Sequence, residues 1–319
     1  MRITWRLAAA VVLAASILAP VGADEKDKKE KDIVNYVAQK NAPPGVKKIV
    51  IIGDKRPHGP RGNHEFMAGG VYLARTLNAQ YPNAYAVVHA QDQIPKEAKD
   101  LEHADAVIVL LNHGGIAVNP AVTAAMERGA GFMAIHYGVE VSKGKQGEAY
   151  LKWMGGYFEP FWSVNPHWTP DFKDIPKHET TRGVKPFTVN DEWYYHMRFV
   201  KDMKGVTPIL SAVAPLKTVG GDGKKSSSHG GNPDVYAAVA AGKPQHMAWA
   251  YERPEGGRGF GFTGYHKYDN LQNDSFRTLL LNAAAWTSGL PVPENGIPSP
   301  TPSKKDLDNL INDGLRIGK

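Results

Sequence analysis

The 319-residue chain has no cysteine. That excludes disulfides, thiol nucleophiles and every zinc pattern built on thiolates. The His-Glu-x-x-His signature of helical zinc sites is also missing. The N-terminal apolar stretch, Leu7–Leu18, falls well short of the roughly 20 residues needed to span a bilayer. Lys and Arg form no stripe interleaved with aromatics, so a nucleic-acid partner is not expected. No internal repeat is found.

What is present begins with a targeting pattern. Met1–Arg6 is a short positive start, an apolar run follows, and Val21-Gly22-Ala23 offers small residues for cleavage. Residues 1–23 therefore read as a signal peptide, and the protein as exported to the periplasm or beyond, with no membrane span after cleavage. Cleavage would remove Arg2 and Arg6 from a formal net charge of +6. Residues 24–46 read as a charged linker in which acids nearly balance bases. Residues 47–289 form the expected domain, large enough to bury a core without cross-links. Residues 290–319 read as a Pro- and Ser-rich tail, with a weak terminal helix at Asp306–Ile317.

Within the domain, strand and helix patterns alternate. Lys47–Asp54, Tyr85–His89, Asp105–Leu111 and Gly131–His136 are apolar, β-branched runs that end in turn chemistry. Between them, Asn63 is placed to cap one helix and Pro120–Arg128 reads as another, closed by Gly129. Gly147–Met154 reads as a helix, Val206–Ala212 as a strand, Gln245–Tyr251 and Gly259–Gly264 as a hairpin, and Asp274–Thr287 as an amphipathic helix. The expected fold class is α/β: an open, mainly parallel, flavodoxin-like sheet with helices on both faces. Gly155–Lys177 is too rich in Trp, Pro and Asn for a regular element and reads as a long functional loop.

Ligands of open α/β sheets bind beyond the carboxyl ends of the strands, and those ends carry histidine repeatedly. Asp54, His58, His64 and Glu65 follow the first strand, and His113 the third. His136 and Tyr137 follow the fourth, and His266 the last hairpin strand. His136 stands where hydrolases with a nucleophile elbow carry Ser or Cys. Its imidazole suits a general base, a metal ligand or a substrate contact. In Asp191–His196 (DEWYYH), strand alternation puts Glu192, Tyr194 and His196 on one face and Asp191, Trp193 and Tyr195 on the other. Glu192 with His196 could act as an acid/base pair or join His136 on a divalent ion. Trp162, His167, Trp168 and Trp193 suit stacking on a sugar ring, or bracing of the loop. His58, His64 and His136 are the metal-ligand candidates, with zinc or manganese as the ion. His229 reads as solvated, His246 as structural, and His103 and His178 as surface residues.

Three stretches in order, GFMAIHYG, HETTRGVKPFTVNDEWYYH and GRGFGFTGYHKYDN…FRTLLLNAAAWTSG, resemble the trehalose-utilisation (ThuA-like) family. The resemblance spans nearly all of the mature domain. It implies a fold related to class I glutamine amidotransferases, without glutaminase chemistry, since His136 stands at or near the place of their catalytic Cys. It also implies a small-molecule sugar substrate, a glucoside or its 3-keto derivative, cleaved by hydrolysis or elimination. His136, Glu192 and His266 are the expected catalytic residues. Asp54, His58, His64, Glu65, His113, Tyr137, Trp162, His167, Trp168, Trp193, Tyr194 and His196 are expected to contact substrate. The competing expectations are a non-catalytic sugar-binding protein and a metal-dependent hydrolase or isomerase of another small polar metabolite.

Overall fold

The first strand, β1 (Lys47–Gly53), sets the plan of the molecule by simple alternation. Ile49 and Ile51 enter one hydrophobic core, while Val50 and Ile52 enter another on the opposite face. A strand buried on both sides belongs at the middle of a sheet, and β1 lies between β2 (Ala84–Ala90) and β3 (Ala106–Leu110), parallel to both. Next come β4 (Gly131–Ile135), β5 (Val206–Ala212), β6 (Gln245–Glu252) and β7 (Arg258–Phe262). The sheet order is β5-β6-β7-β4-β3-β1-β2. Strands β3, β4 and β7 run parallel to β1, and only β6 runs against the rest. The computed structural model describes residues 42–55, 58–90, 101–112, 115–220 and 227–317. The signal-peptide and most of the linker readings, and His113, lie outside those residues.

Helices cover both faces, as the alternation requires. On the Ile49 side lie α1 (Phe66–Gln80) and, later in the chain, two further helices. On the Val50 side lie α2 (Pro120–Glu127) and α3 (Lys145–Met154). A short α4 (Pro233–Ala240) precedes β6; α5 (Asp274–Thr287) and α6 (Lys304–Ile317) complete the Ile49 side. Both α2 and α4 start on an Asn whose side chain accepts two backbone N–H bonds, with Pro in the first turn. Gly131 lets α5 close onto β4, because a Cβ there would meet the Thr287 carbonyl oxygen at 1.9 Å. Among the described residues, no helix is long and apolar enough to cross a membrane.

Three local readings change. Asn63 does not cap α1, which starts at Phe66; it forms a bridge with Lys267 instead. The terminal helix is regular and packs on α1, where Asp313 is buried and takes a 2.6 Å hydrogen bond from Arg75. The Gly155–Lys177 segment is not structureless. It supplies one strand to each of three two-stranded pairs: Gly156–Tyr157 with Arg198–Phe199, His167–Trp168 with Asp191–Glu192, and Asp171–Phe172 with Phe187–Thr188. The second of these pairs holds Glu192, opposite His167.

Candidate active site at the carboxyl end of the sheet

Three backbone turns deliver histidines to one point. At the exit of β4, His136 adopts φ 53°, a left-handed conformation that side chains other than Gly seldom take. His64, in the turn that leads into α1, has φ 53° as well. After β7, Tyr265 takes φ 97°, which brings His266 inward. Strain of this kind, of order 1–3 kcal/mol per residue, gathers where surrounding structure fixes a functional geometry. Glu192 reaches the same point from its pairing with His167.

The contacts are close. The Nε2 atoms of His64 and His136 are 3.0 Å apart. Glu192 Oε2 lies 3.0 Å from His266 Nδ1, 3.3 Å from His136 Nε2 and 4.0 Å from His64 Nε2. The Tyr194 hydroxyl is 3.2 Å from His136 Nε2. On the far sides of the rings, His136 Nδ1–H donates to the Thr263 carbonyl at 2.8 Å, and His64 Nδ1–H donates to the carbonyl of His58. His64, His136, Glu192 and His266 each offer one ligand atom, all within 4.8 Å of one another. His64 and His136 are buried; Glu192 and His266 are half-buried and form the open side.

Beneath this group sits Asp191, a residue the sequence pattern did not single out as functional. It is fully buried, and its carboxylate accepts from five donors. Oδ1 takes the backbone N–H groups of Glu192 (2.8 Å), His266 (3.0 Å) and Lys267 (3.2 Å). Oδ2 takes those of Tyr265 (2.9 Å) and the Asn270 amide (2.7 Å). Asp191 thus ties the β7 exit to the Glu192 strand. Nothing in the spacing marks this role, which depends on two distant turns meeting.

The electrostatics follow from burial and crowding. Burial, with the neighbouring His136, drives His64 down to about 3, against a weaker opposing pull from its bond to His58. For Glu192, burial pushes upward, but bonds to His136 and His266 overcome it and hold the carboxyl well below the usual range. Burial, reinforced by Glu192, raises Tyr194 far above the usual phenol value, so it keeps its proton.

The other expected site residues divide. The exposed His167 ring lies edge-on to His266, centroids 4.6 Å apart. His58 presents an exposed ring 5.4 Å from that of His64 and 6.5 Å from Tyr137, which is half-buried. His58 is not in the convergent set; its carbonyl orients His64, and His266 and Glu192 complete the set instead. Asp54 accepts from Asn112 at 2.7 Å, and buried Glu65 from the Gly62 N–H at 2.9 Å. Neither belongs to the convergent group. Trp168 and Trp193 are core residues: the Trp168 indole donates to the Trp193 carbonyl, and Trp193 packs on Phe172, Phe262 and Phe276. They cannot stack on a sugar. Alternation holds for Glu192 and Tyr194 and then fails, because the chain turns at His196 (φ 59°) and the ring stacks on Trp162. His229 is not simply solvated: it meets Glu140 at 3.0 Å and stacks on Phe158.

Trp162 is also covered from its other neighbour, with the Arg198 guanidinium 3.5 Å over its ring. Arg198 forms two bonds to Glu159, at 3.0 and 3.1 Å, and the Tyr157 hydroxyl adds one of 2.7 Å. Burial alone would raise Glu159, but Arg198 and Tyr157 outweigh it and hold the carboxyl below its ordinary 4.5. A depressed folded-state value stabilises the fold above the unfolded value and is lost as pH falls through the folded one. Glu159→Gln is therefore expected to be less stable than the parent at pH 7, with the gap narrowing below about pH 4.5. Urea midpoints between pH 7 and 3 check this, and a pH-independent gap would refute it.

Residues 58–287, well over half of the chain, match the trehalose-utilisation (ThuA) family. A ThuA-like protein from Bacteroides uniformis superposes with a TM-score of 0.51 at 17% identity, covering 76% of this chain and 91% of that one. The acivicin-bound glutaminase domain of Trypanosoma brucei CTPS aligns over 79% of this chain and 98% of its own, at 8% identity and a TM-score of 0.38. No curated protein matches.

Proposed function

Because the chain belongs to the trehalose-utilisation (ThuA) family, we propose that it is an exported carbohydrate-active enzyme that cleaves a glucoside through its 3-keto derivative. The observation that carries this reading is the meeting of His64, His136, Glu192 and His266 at the carboxyl end of the sheet, with His167 exposed beside them. Ordinary glycoside hydrolysis uses two carboxylates across the scissile bond. Here a single carboxylate stands among imidazoles, a set better suited to moving a proton next to a carbonyl.

A ketone at C3 acidifies the C2 proton. A base takes that proton, and the C–H electron pair becomes the enolate on C3 and its oxygen. The enolate then re-forms the ketone and a C1=C2 double bond, expelling the C1 oxygen substituent, which takes up a proton. Water adds at C1 while C2 regains a proton, so the net change is hydrolysis. His136 is fully enclosed, so the base role is assigned to His167, an exposed imidazole whose ring lies against His266. Glu192 and His266, 3.0 Å apart and half-buried, lie beside it.

Purified protein is expected to release glucose-sized products from 3-keto-trehalose or 3-keto-glucosides and to leave unmodified trehalose intact. In D2O it should place deuterium at C2. Neither turnover nor C2 exchange on any 3-keto-glucoside would overturn the proposal. Binding without exchange would make the protein a sugar-binding module instead.

A further inference from the structure

The pairing of the two buried imidazoles poses a chemical problem. A backbone carbonyl can only accept, so the bonds to Thr263 and His58 fix the protons of His136 and His64 on Nδ1. Both Nε2 atoms then carry lone pairs, and these face each other at 3.0 Å. The Tyr194 hydroxyl has one proton and lies next to His136 only. The anionic Glu192 and the His266 ring close on the same space. Lone pairs and negative charge converging in a buried pocket call for a cation.

We propose that His64, His136, His266 and Glu192 form a binding site for one divalent transition-metal ion, with zinc favoured. A proton between the two Nε2 atoms would relieve that pair alone and would leave the other two ligands unexplained. Four ligand atoms about 2.1 Å from a tetrahedral ion stand about 3.4 Å from one another. Of the six separations, four are 3.0, 3.0, 3.3 and 4.0 Å, around that value, and all six are within 4.8 Å. Three imidazoles and one carboxylate select a borderline ion over magnesium or calcium. The groups behind the ligands fit as well: metal-bound imidazoles donate their second N–H to a carbonyl or carboxylate, as His64 and His136 do here. Asp191 holds the backbone N–H groups of both Glu192 and His266.

Glu192 and His266 are half-buried, so that side of the ligand set is the one nearest solvent. The ion claim stands independently of the sugar reading. Only its use in holding the C3 oxygen, where enolate charge develops, rests on that reading.

The test uses full-length protein stripped with a chelator and confirmed folded by circular dichroism. Titration calorimetry with Zn2+, Co2+ and Mg2+ is expected to give one Zn2+ or Co2+ per chain and no Mg2+ uptake. Bound Co2+ should show the visible bands of a nitrogen-rich, four- or five-coordinate site. His64→Ala, His266→Ala and the nearly isosteric Glu192→Gln should each weaken binding at least about 100-fold, while His246→Ala leaves it unchanged. The proposal is overturned if the folded wild-type protein takes up no ion, or if Glu192→Gln binds one as tightly as wild type. Ion binding without sugar turnover would sink only the catalytic reading. Turnover by protein that takes up no metal would sink only this one.

Discussion

Asp191→Ala is expected to lose about 3–5 kcal/mol of stability, the cost of removing the partner of a buried charged network. The side chain is fully buried, and four backbone N–H groups and one amide point at it. Without the carboxylate those donors remain in a space that water enters poorly, and each unsatisfied group costs about 1–3 kcal/mol before relaxation. The β7 exit and the Glu192 strand would then separate, so the position of His266 would be lost along with the stability. Asp191→Asn keeps the shape but turns an N–H toward donors, and should recover only part of the loss. Equilibrium urea unfolding of the three proteins checks this, and a loss under about 1 kcal/mol for the alanine variant would show that the hub is dispensable.

His167→Gln is expected to lower kcat on 3-keto-glucosides by about 10²–10⁴-fold, the usual contribution of a positioned general base. His167 lies outside the convergent ligand set, is exposed, and pairs through its backbone with Glu192. The same variant should therefore bind metal and unfold as wild type does. Deuterium exchange at C2 should fall together with turnover, since both begin with the same proton removal. A variant that keeps its exchange rate would assign the base to another group. A variant that loses metal as well would make His167 part of the ion's support.

The sheet was legible because its strands obey rules that act over a few residues. Runs such as IVIIG within β1 and GFMAI in β4 are β-branched or apolar throughout, end in turns, and allow little but a strand buried on both faces. The strand ends then located His136 and His266, since the position of ligands beyond the carboxyl ends is a property of the fold. The aromatic segments were less readable. A Trp near Asn and His looks the same in sequence whether it lines a cleft or fills a core, and Trp168 and Trp193 fill a core. Alternation predicted the shared direction of Glu192 and Tyr194 but had no warning of the left-handed turn at His196. Asp191 and the Glu140–His229 pair stayed hidden for another reason. Their partners lie 75 and 89 residues away in the chain, at His266 and His229.

The left-handed backbone at His64 and His136 carries a consequence for what holds the site in place. Glycine occupies that conformation freely, whereas an L side chain does so at a cost of roughly 1–2 kcal/mol. Each of these histidines thus holds a conformation that glycine would take more easily, and its buried ring, bonded to the carbonyl of Thr263 or His58, is what keeps it there.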